Sequence, residues 1–299
     1  MSMITKISKV LVVTIDITIG MMYDCAVIVP VTTNSTPEET RLTMNQIERR
    51  RALIRYLLDE GHWRNTIPEN ETEQKRLLRG LMNVRPAEPV SEEFLEMQDE
   101  YLQEALAEKG TVSLADMEEL QPELYLWRGD ITRIQCGAIV NAANSGMTGC
   151  WQPCHSCIDN CIHTYAGVQL RLKCAELMDA QGHEEPTGQA KITPAYNLPC
   201  NYILHTVGPI VEGPLTAEHE RLLASCYRSC LQLAAENGVE SIAFCCISTG
   251  VFMFPNDKAA RIATQTVKDW KAEMGSGIKV IFNVFKEQDE RLYRALLTD

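Results

Sequence analysis

The stretch Ala138-Ile-Val-Asn141-Ala-Ala-Asn144-Ser145 decides the type of fold. Its apolar beginning is typical of a buried strand, and small and amide side chains follow where that strand should end. Further short apolar runs lie on both sides of it and alternate with helical patterns. Because strands separated by helices form a largely parallel sheet covered on both faces, the sequence predicts an α/β domain.

The alternation of strands and helices extends from residue 124 to residue 297. The predicted strands are Leu124–Arg128, Ala138–Asn141, Lys191–Ala195, Tyr202–Thr206, Ser241–Cys246 and Lys279–Val284. The predicted helices are Asp159–Met178, Ala217–Glu236, Asp257–Lys271 and Gln288–Leu297. In sheets of this kind ligands bind beyond the carboxyl ends of the strands, so functional residues are expected there.

Upstream of the strands, the chain has two further regions. Residues 1–38 contain a short apolar stretch that Asp16 interrupts, with no run of the roughly 18 apolar residues that a membrane span needs. We interpret this leader as disordered or non-native and assign it no function. Residues 39–122 carry helical patterns ended by Gly61 and Gly110 and predict a mostly helical, acidic extension before a domain at 123–299.

Charge and cysteine content narrow the class of protein. The 299 residues carry a formal net charge of −12, and eleven acidic residues against one lysine lie between Ser91 and Glu123. Nucleic-acid binding is not expected, because it needs clustered Lys and Arg. Seven of the twelve cysteines lie between Cys136 and Cys200, and such clustering in a long chain favours metal binding over disulfides. The sequence thus predicts a cytoplasmic protein without a membrane segment.

The densest cluster is Gly149-Cys-Trp-Gln-Pro-Cys-His-Ser-Cys-Ile-Asp-Asn-Cys-Ile-His163, which holds six thiol or imidazole groups. Zinc prefers these ligands, and the alternative is that the cysteines are small core side chains. Three ligands would leave an open position on the metal, whereas four, such as Cys150, Cys154, Cys157 and Cys161, would make a closed structural site. Asp159 could act as an acid, a base or an orienting group, or simply cap a helix.

Two other segments have the composition of ligand-binding loops. Gly129-Asp130-Ile131-Thr132 follows the first predicted strand, and Asn141 to Gly146 supplies small residues and amides that suit sugar hydroxyls. Ile247 to Asn256 passes from a strand through a glycine-containing turn into a helix, a position where backbone N–H groups can hold phosphate. Alone, this last segment is more typical of an ordinary tight turn.

Taken together, these segments resemble a macrodomain, specifically the zinc-dependent microbial branch of that family. The resemblance rests on Gly129–Thr132, Ala138–Ser145, Ile247–Phe252 and the cysteine cluster continued to Gly167, and it covers about residues 124–297. The helical prefix from about Thr40 also resembles the extension found in that branch. The family implies a three-layer α/β/α fold with a mixed, largely parallel sheet and a cleft for ADP-ribose.

The resemblance also implies roles for individual residues. Asp130 would accept from the adenine amino group beside Ile131, Phe285 would stack on the adenine, and Asn144 would contact the distal ribose. The turn implied to wrap the diphosphate consists of Ser248, Thr249, Gly250, Val251 and Phe252. The zinc ligands implied are Cys150, His155 and Cys157, with Asn144 and Asp159 positioning the reacting groups.

The implied activity is zinc-dependent hydrolysis that releases ADP-ribose from mono-ADP-ribosylated protein side chains, with Zn²⁺ as the cofactor. Three alternatives remain open at this stage: a non-catalytic ADP-ribose reader, an esterase acting on O-acyl-ADP-ribose, and a structural zinc protein. A lipoyl-carrier-type protein is a substrate suggested by family analogy alone.

Overall fold

The computed structural model describes residues 9–12, 28–31 and 44–298. The chain divides into two compact units, Met1–Asn45 and Gln46–Asp299. In the first unit, β1 (Lys9–Val12) pairs with β2 (Ile28–Val31) in antiparallel register. The rest of the predicted leader lies outside the described residues, and its interpretation as disordered or non-native stays a prediction.

The second unit begins with three helices, α1 (Gln46–Glu60), α2 (Glu71–Val84) and α3 (Glu92–Lys109). Side-chain oxygens of Asn70 and Ser91 accept hydrogen bonds from backbone N–H groups in the first turns of α2 and α3, as N-capping residues do. The helices enclose an apolar cluster of their own, formed mainly by Leu53, Ile54, Leu57, Leu78, Phe94 and Leu102. The predicted helical character of this region is confirmed, while its limits at residues 39 and 122 stay predictions.

A seven-stranded sheet forms the centre of the second unit, with the order β3-β4-β9-β8-β5-β7-β6. Its strands are β3 (Glu118–Gln121), β4 (Leu124–Arg128), β5 (Ala138–Ala143), β6 (Ala190–Pro194), β7 (Tyr202–Val207), β8 (Ser241–Phe244) and β9 (Lys279–Val284). The five inner strands are mutually parallel, and the edge strands β3 and β6 are antiparallel to their neighbours. The predicted mixed sheet is therefore confirmed. Strand β3 was missed, and β8 ends at Phe244 rather than at the predicted Cys246.

Two groups of helices cover this sheet. They are α4 (Ile158–Ala166) and α5 (Val168–Gln181), and α6 (Ala217–Glu236), α7 (Asn256–Met274) and α8 (Glu287–Thr298). Helices α4 and α5 pack against each other and on β5 and β6, while α6, α7 and α8 pack side by side. The predicted α/β/α arrangement is thus confirmed. None of the helices between residues 44 and 298 combines the length and apolar character that a membrane crossing requires.

The single helix predicted over Asp159–Met178 is wrong, because Gly167 separates α4 from α5. Gly167 has φ 102° and ψ 169°, a backbone conformation that is essentially restricted to glycine. A Cβ atom there would also lie 2.4 Å from Oε1 of Gln169 and 2.6 Å from Nε2 of Gln98. The break therefore depends on both the backbone angle and the close packing of α3.

Replacing Gly167 with Ala is expected to lower the free energy of unfolding by about 3 kcal/mol or more, because strain and overpacking add. Gly182→Ala is the matched control. Gly182 ends α5 with φ 76° and ψ 9° and has no atom within 4 Å of a built Cβ, so only about 1–2 kcal/mol of left-handed strain is expected. Urea denaturation measures both, and equal losses would contradict the packing argument.

Candidate functional site

Three donor groups converge in the loop between β5 and α4. The thiols of Cys150 and Cys157 and the imidazole of His155 place their ligand atoms within 4.8 Å of one another. Sγ of Cys150 lies 3.6 Å from Nδ1 of His155. A tetrahedral zinc ion would separate sulfur and nitrogen ligands by about 3.5 Å, since its bonds are about 2.3 and 2.0 Å long. The donor set and its spacing therefore fit zinc with three protein ligands.

Local structure orients the Cys157 thiol. Cys157 is the N-cap of α4, and its sulfur accepts a hydrogen bond from the N–H group of Asn160 at 3.4 Å. Burial raises the pKa of this thiol to about 12. A thiolate ligand at this position consequently needs a bound cation to stabilise it.

Cys154 and Cys161 face away from this group. Sγ of Cys154 donates to the backbone oxygen of Arg76 at 3.3 Å, and Sγ of Cys161 accepts from Nη2 of Arg79 at 3.5 Å. Neither cysteine joins a metal-ligating group among residues 44–298. This geometry disfavours the four-cysteine structural site and leaves the arrangement with three ligands.

A carboxylate and two amides lie next to the metal-ligating group. Nδ2 of Asn144 donates to Oδ2 of Asp159 at 3.2 Å, and Nδ2 of Asn141 donates to Oδ1 of Asp159 at 2.8 Å. Asn144 also donates to the backbone oxygen of Gly149 at 3.1 Å. This bond links the end of β5 to residues 149–157, which carry the three donor groups and are called the metal loop below. Burial raises the pKa of Asp159 to about 6, against the opposing effect of the amide donors and Arg171.

The polar network continues across the sheet through a residue that the sequence analysis did not single out. Nδ2 of Asn141 lies 3.1 Å from Nδ1 of His205 on β7, and Nε2 of His205 lies 2.9 Å from Oγ1 of Thr193 on β6. Because the Asn141 amide donates, Nδ1 accepts and Nε2 carries the proton that His205 donates to Thr193. Burial lowers the pKa of His205 to about 3, so the ring stays neutral and the network fixed.

His163 of α4 also lies close to Asp159. Its Nε2 is 3.6 Å from Oδ1 of Asp159, and neither ring nitrogen has a hydrogen-bond partner among the described residues. Its ring also borders Gly149, where a Cβ atom would lie 2.8 Å from the imidazole. Gly149 is thus the residue that lets the metal loop pass over His163. His163, Cys174 and His205 also bring their ligand atoms within 4.8 Å, but Nε2 of His205 is engaged by Thr193.

Local hydrogen bonds order the segment after β4. Asp130 caps a 3₁₀ turn, and its Oδ1 accepts from the N–H group and the hydroxyl of Thr132 at 3.1 and 2.6 Å. Ile131, the residue after Asp130, is fully buried. Nδ2 of Asn283, on β9, donates to the backbone oxygen of Gly129 at 3.1 Å and joins the two strand ends. Phe285 follows β9 directly and is 78% exposed, so its ring is available to a ligand.

The turn after β8 contains an unsatisfied polar atom. Ser248 has φ 63° and is buried, and its Oγ has no hydrogen-bond partner among the described residues. A Cβ atom on Gly208, which follows β7, would lie 2.0 Å from that hydroxyl, so glycine is required there. The hydroxyl of Thr249 donates a hydrogen bond to the backbone oxygen of Cys246 at 2.9 Å. A Cβ atom built on Gly250 would meet open space, and Val251 is exposed. The backbone oxygen of Phe252 accepts from the N–H group of Val211 at 2.9 Å, which anchors the turn.

All these segments follow the carboxyl ends of parallel strands, so the structure collects the sequence-predicted residues at one edge of the sheet. The sequence analysis missed Asn141, His205 and Thr193 as supports of Asp159. It also missed Arg79 and Asn83 of α2, which contact the metal loop. An amide inside the otherwise apolar β5 was the one available signal, because a buried amide needs partners.

Comparison with known proteins identifies relatives of this chain. The sequence profile of the Macro domain family matches residues 140–263. The chain is 62% identical over 261 residues to a protein-ADP-ribose hydrolase of Treponema medium, covering 85% of this chain and all of that protein. It is 46% identical over 259 residues to a protein-ADP-ribose hydrolase of Staphylococcus aureus strain MSSA476, covering 84% and 97%.

A solved structure shares the fold. The crystal structure of the Trypanosoma brucei macrodomain in complex with ADP-ribose matches with a TM-score of 0.58 and 29% identity, over 77% of this chain and 97% of that one. The sequence identity to the two hydrolases extends over nearly their whole length, so it shows membership of their family and not only a shared fold. The chain therefore belongs to the macrodomain ADP-ribose hydrolase family.

Proposed function

We propose that this protein is a zinc-dependent hydrolase that releases ADP-ribose from mono-ADP-ribosylated protein side chains. The observation that carries the proposal is the position of the Cys150–His155–Cys157 group. It adjoins the hydrogen-bonded pair Asn144–Asp159, at the same sheet edge as the proposed nucleotide-binding loops. The names of the relatives support hydrolysis, and the donor set supports zinc.

In this proposal the nucleotide lies along the strand ends. Asp130 accepts from the adenine amino group with its carboxylate, Ile131 lies beneath the base and Phe285 covers it. The diphosphate occupies the turn from Ser248 to Phe252, where the buried Ser248 hydroxyl gains the partner it lacks within the chain. Exposed Val251 and open space at Gly250 leave the backbone of this turn accessible.

The distal ribose then lies at Asn144, between the diphosphate turn and the metal-ligating group. Bound zinc would polarise an oxygen ligand and lower the pKa of bound water toward about 7. Both N–H donors of Asn144 are engaged by Gly149 and Asp159, and its Oδ1 accepts from the N–H group of Gly146 at 3.0 Å. The second lone pair of Oδ1 is therefore the acceptor that orients a ribose hydroxyl. Asp159, held by Asn141 and Asn144, positions the reacting groups beside the metal ligands.

Removal of zinc is expected to abolish release of ADP-ribose, and its return is expected to restore it. The measurement compares enzyme as purified, enzyme stripped by a chelator and stripped enzyme given zinc, with circular dichroism showing that all three remain folded. The substrates are proteins mono-ADP-ribosylated on carboxylate, amide or hydroxyl side chains. A modified lipoyl-carrier-type protein is included, since we propose such a carrier as a substrate by analogy.

Each alternative has its own outcome in this experiment. Full activity after verified stripping would overturn zinc dependence. Binding of ADP-ribose without release from any linkage would identify a reader, and turnover restricted to O-acyl-ADP-ribose would identify an esterase. Unfolding on zinc removal together with no affinity for ADP-ribose would identify a structural zinc protein.

A further inference from the structure

The metal loop is held from outside by helix α2 of the N-terminal helices. Arg79 of α2 donates from Nη2 to the backbone oxygen of His155 at 2.7 Å and to Oδ1 of Asn160 at 2.8 Å. Its Nε lies 3.3 Å from the same oxygen of Asn160, and Nη2 also reaches Sγ of Cys161 at 3.5 Å. One guanidinium thus contacts a metal-ligating residue and the first turn of α4.

Asn160 extends this contact to the remaining part of the loop. Its Nδ2 donates to the backbone oxygens of Cys150 at 3.3 Å and Gln152 at 3.0 Å, and its N–H group donates to Sγ of Cys157. Asn160 is fully buried. Through Asn160 and directly, Arg79 is therefore linked to all three of Cys150, His155 and Cys157.

The end of α2 is itself fixed to the domain. Oδ1 of Asn83 accepts from the N–H group of Cys154 at 2.9 Å, and its Nδ2 donates to Oγ1 of Thr164 at 2.9 Å. Nη1 of the buried Arg171 donates to the backbone oxygens of Asn83 and Arg85, each at 2.7 Å. These bonds leave α2 little freedom to move relative to the metal loop.

The positively charged side chain of Arg79 is hydrogen-bonded to neutral groups. Among residues 44–298 it forms no ion pair, although the chain is strongly acidic, and its hydrogen-bond partners are neutral oxygens and a thiol. Hydrogen bonds from a charged donor to neutral acceptors are among the stronger ones, and they hold both partners in a defined geometry. Such a group suits the task of fixing a loop whose ligand atoms must stay within a few ångströms.

We propose that Arg79 is a positioning residue for the metal site, and that α2 is in this sense part of the active site. Arg79 holds the backbone at His155 and, through Asn160, the backbone at Cys150, so that the three donors are pre-arranged for the cation. This inference rests on the proposed function, since it takes Cys150, His155 and Cys157 as zinc ligands. Outer partners that orient ligands commonly change metal affinity by about 10- to 100-fold when they are removed.

The test is zinc affinity, measured on the full chain by competition with a chromophoric chelator. Arg79→Gln is expected to weaken zinc binding by about 10- to 100-fold, and Arg79→Lys, which keeps one charged donor, by a smaller factor. Lys75→Gln is the matched control. Lys75 lies on the same helix, is half exposed and pairs with the exposed Glu71 at 2.9 Å, so its replacement removes the same charge and should leave affinity unchanged.

Circular dichroism and thermal unfolding of the zinc-free proteins separate positioning from general stability. A purely structural Arg79 would lower the melting temperature but leave the zinc affinity of the folded protein unchanged, and that result would overturn the inference. If Arg79→Gln does not fold, Arg79→Lys carries the test, and unchanged affinity in it would overturn the inference equally. A wild-type protein that binds no zinc would overturn the proposed function itself, whereas normal wild-type binding with unaffected variants would overturn only the role of Arg79.

Discussion

Replacement of Cys157 by Ala is expected to lower ADP-ribose release by about 1000-fold or more and to remove bound zinc. Cys157 is one of the three proposed ligands, and its sulfur accepts from the N–H group of Asn160 at the start of α4. Two ligands, Cys150 and His155, would remain, which is too few to hold the ion. Charge stabilisation by a catalytic metal is worth several kcal/mol, and about 4 kcal/mol corresponds to 1000-fold in rate.

Cys154→Ala is the matched control, because it makes the same chemical change within the same loop. Its thiol donates to the backbone oxygen of Arg76 and does not belong to the metal-ligating group. Activity and zinc content are expected to stay within about twofold of wild type, since one weak hydrogen bond is lost. Steady-state release of ADP-ribose and metal analysis measure both variants. Equal loss in the two would favour the four-cysteine site, and full activity of Cys157→Ala would exclude a catalytic zinc at this position.

The change Asp159→Asn is expected to reduce kcat by about 100- to 1000-fold while zinc remains bound. Two amide groups donate to the carboxylate, Asn141 to one oxygen and Asn144 to the other. An amide has one acceptor oxygen, so in the variant one of these donors would face an NH₂ group. The negative charge beside the metal ligands is lost as well. A positioned general acid or base typically contributes about 10²- to 10⁴-fold to rate, and the expected loss lies in the lower part of that range.

Asp179→Asn provides the comparison for that variant. Asp179 is exposed on α5, and its replacement removes one negative charge from the same group of helices. Its kcat and KM are expected to equal those of wild type. Metal analysis must show unchanged zinc in Asp159→Asn, because loss of zinc would assign the effect to the neighbouring ligand loop. If Asp159→Asn has the kcat of wild type and full zinc occupancy, Asp159 takes no part in the reaction.

The predicted strands between residues 124 and 284 were found because each is a short apolar run bounded by turn residues, and buried parallel strands require that composition. The prediction over Lys279–Val284 agrees with β9 at both ends. The break at Gly167 was missed for a physical reason. Helical periodicity continues on both sides of it, and Oε1 of Gln98 on the distant helix α3 accepts from the N–H group of Val168 just after the break, a contact that periodicity does not reveal.

The residues of the candidate site were likewise predicted only in part. Cys150, His155 and Cys157 could be found because they are close in sequence and their side chains share one chemistry. The supports of the site could not, because their partners are distant: Asn141 and His205 are 64 residues apart, and Asn83 and Cys154 are 71 residues apart. A single sequence gives no measure of which distant polar residues pair. Only the folded chain brings them together.

The bonds from Arg79 to His155 and Asn160 bridge 76 and 81 residues of chain, and this has a consequence for how the protein matures. Contacts between such distant segments close large loops and form late, after local helices and hairpins. During synthesis α2 emerges before the cysteine loop, and Asn160, which links Arg79 to that loop, follows it at the start of α4. The arrangement of the three proposed ligands therefore depends on the completed tertiary structure, and helical content alone does not report on it.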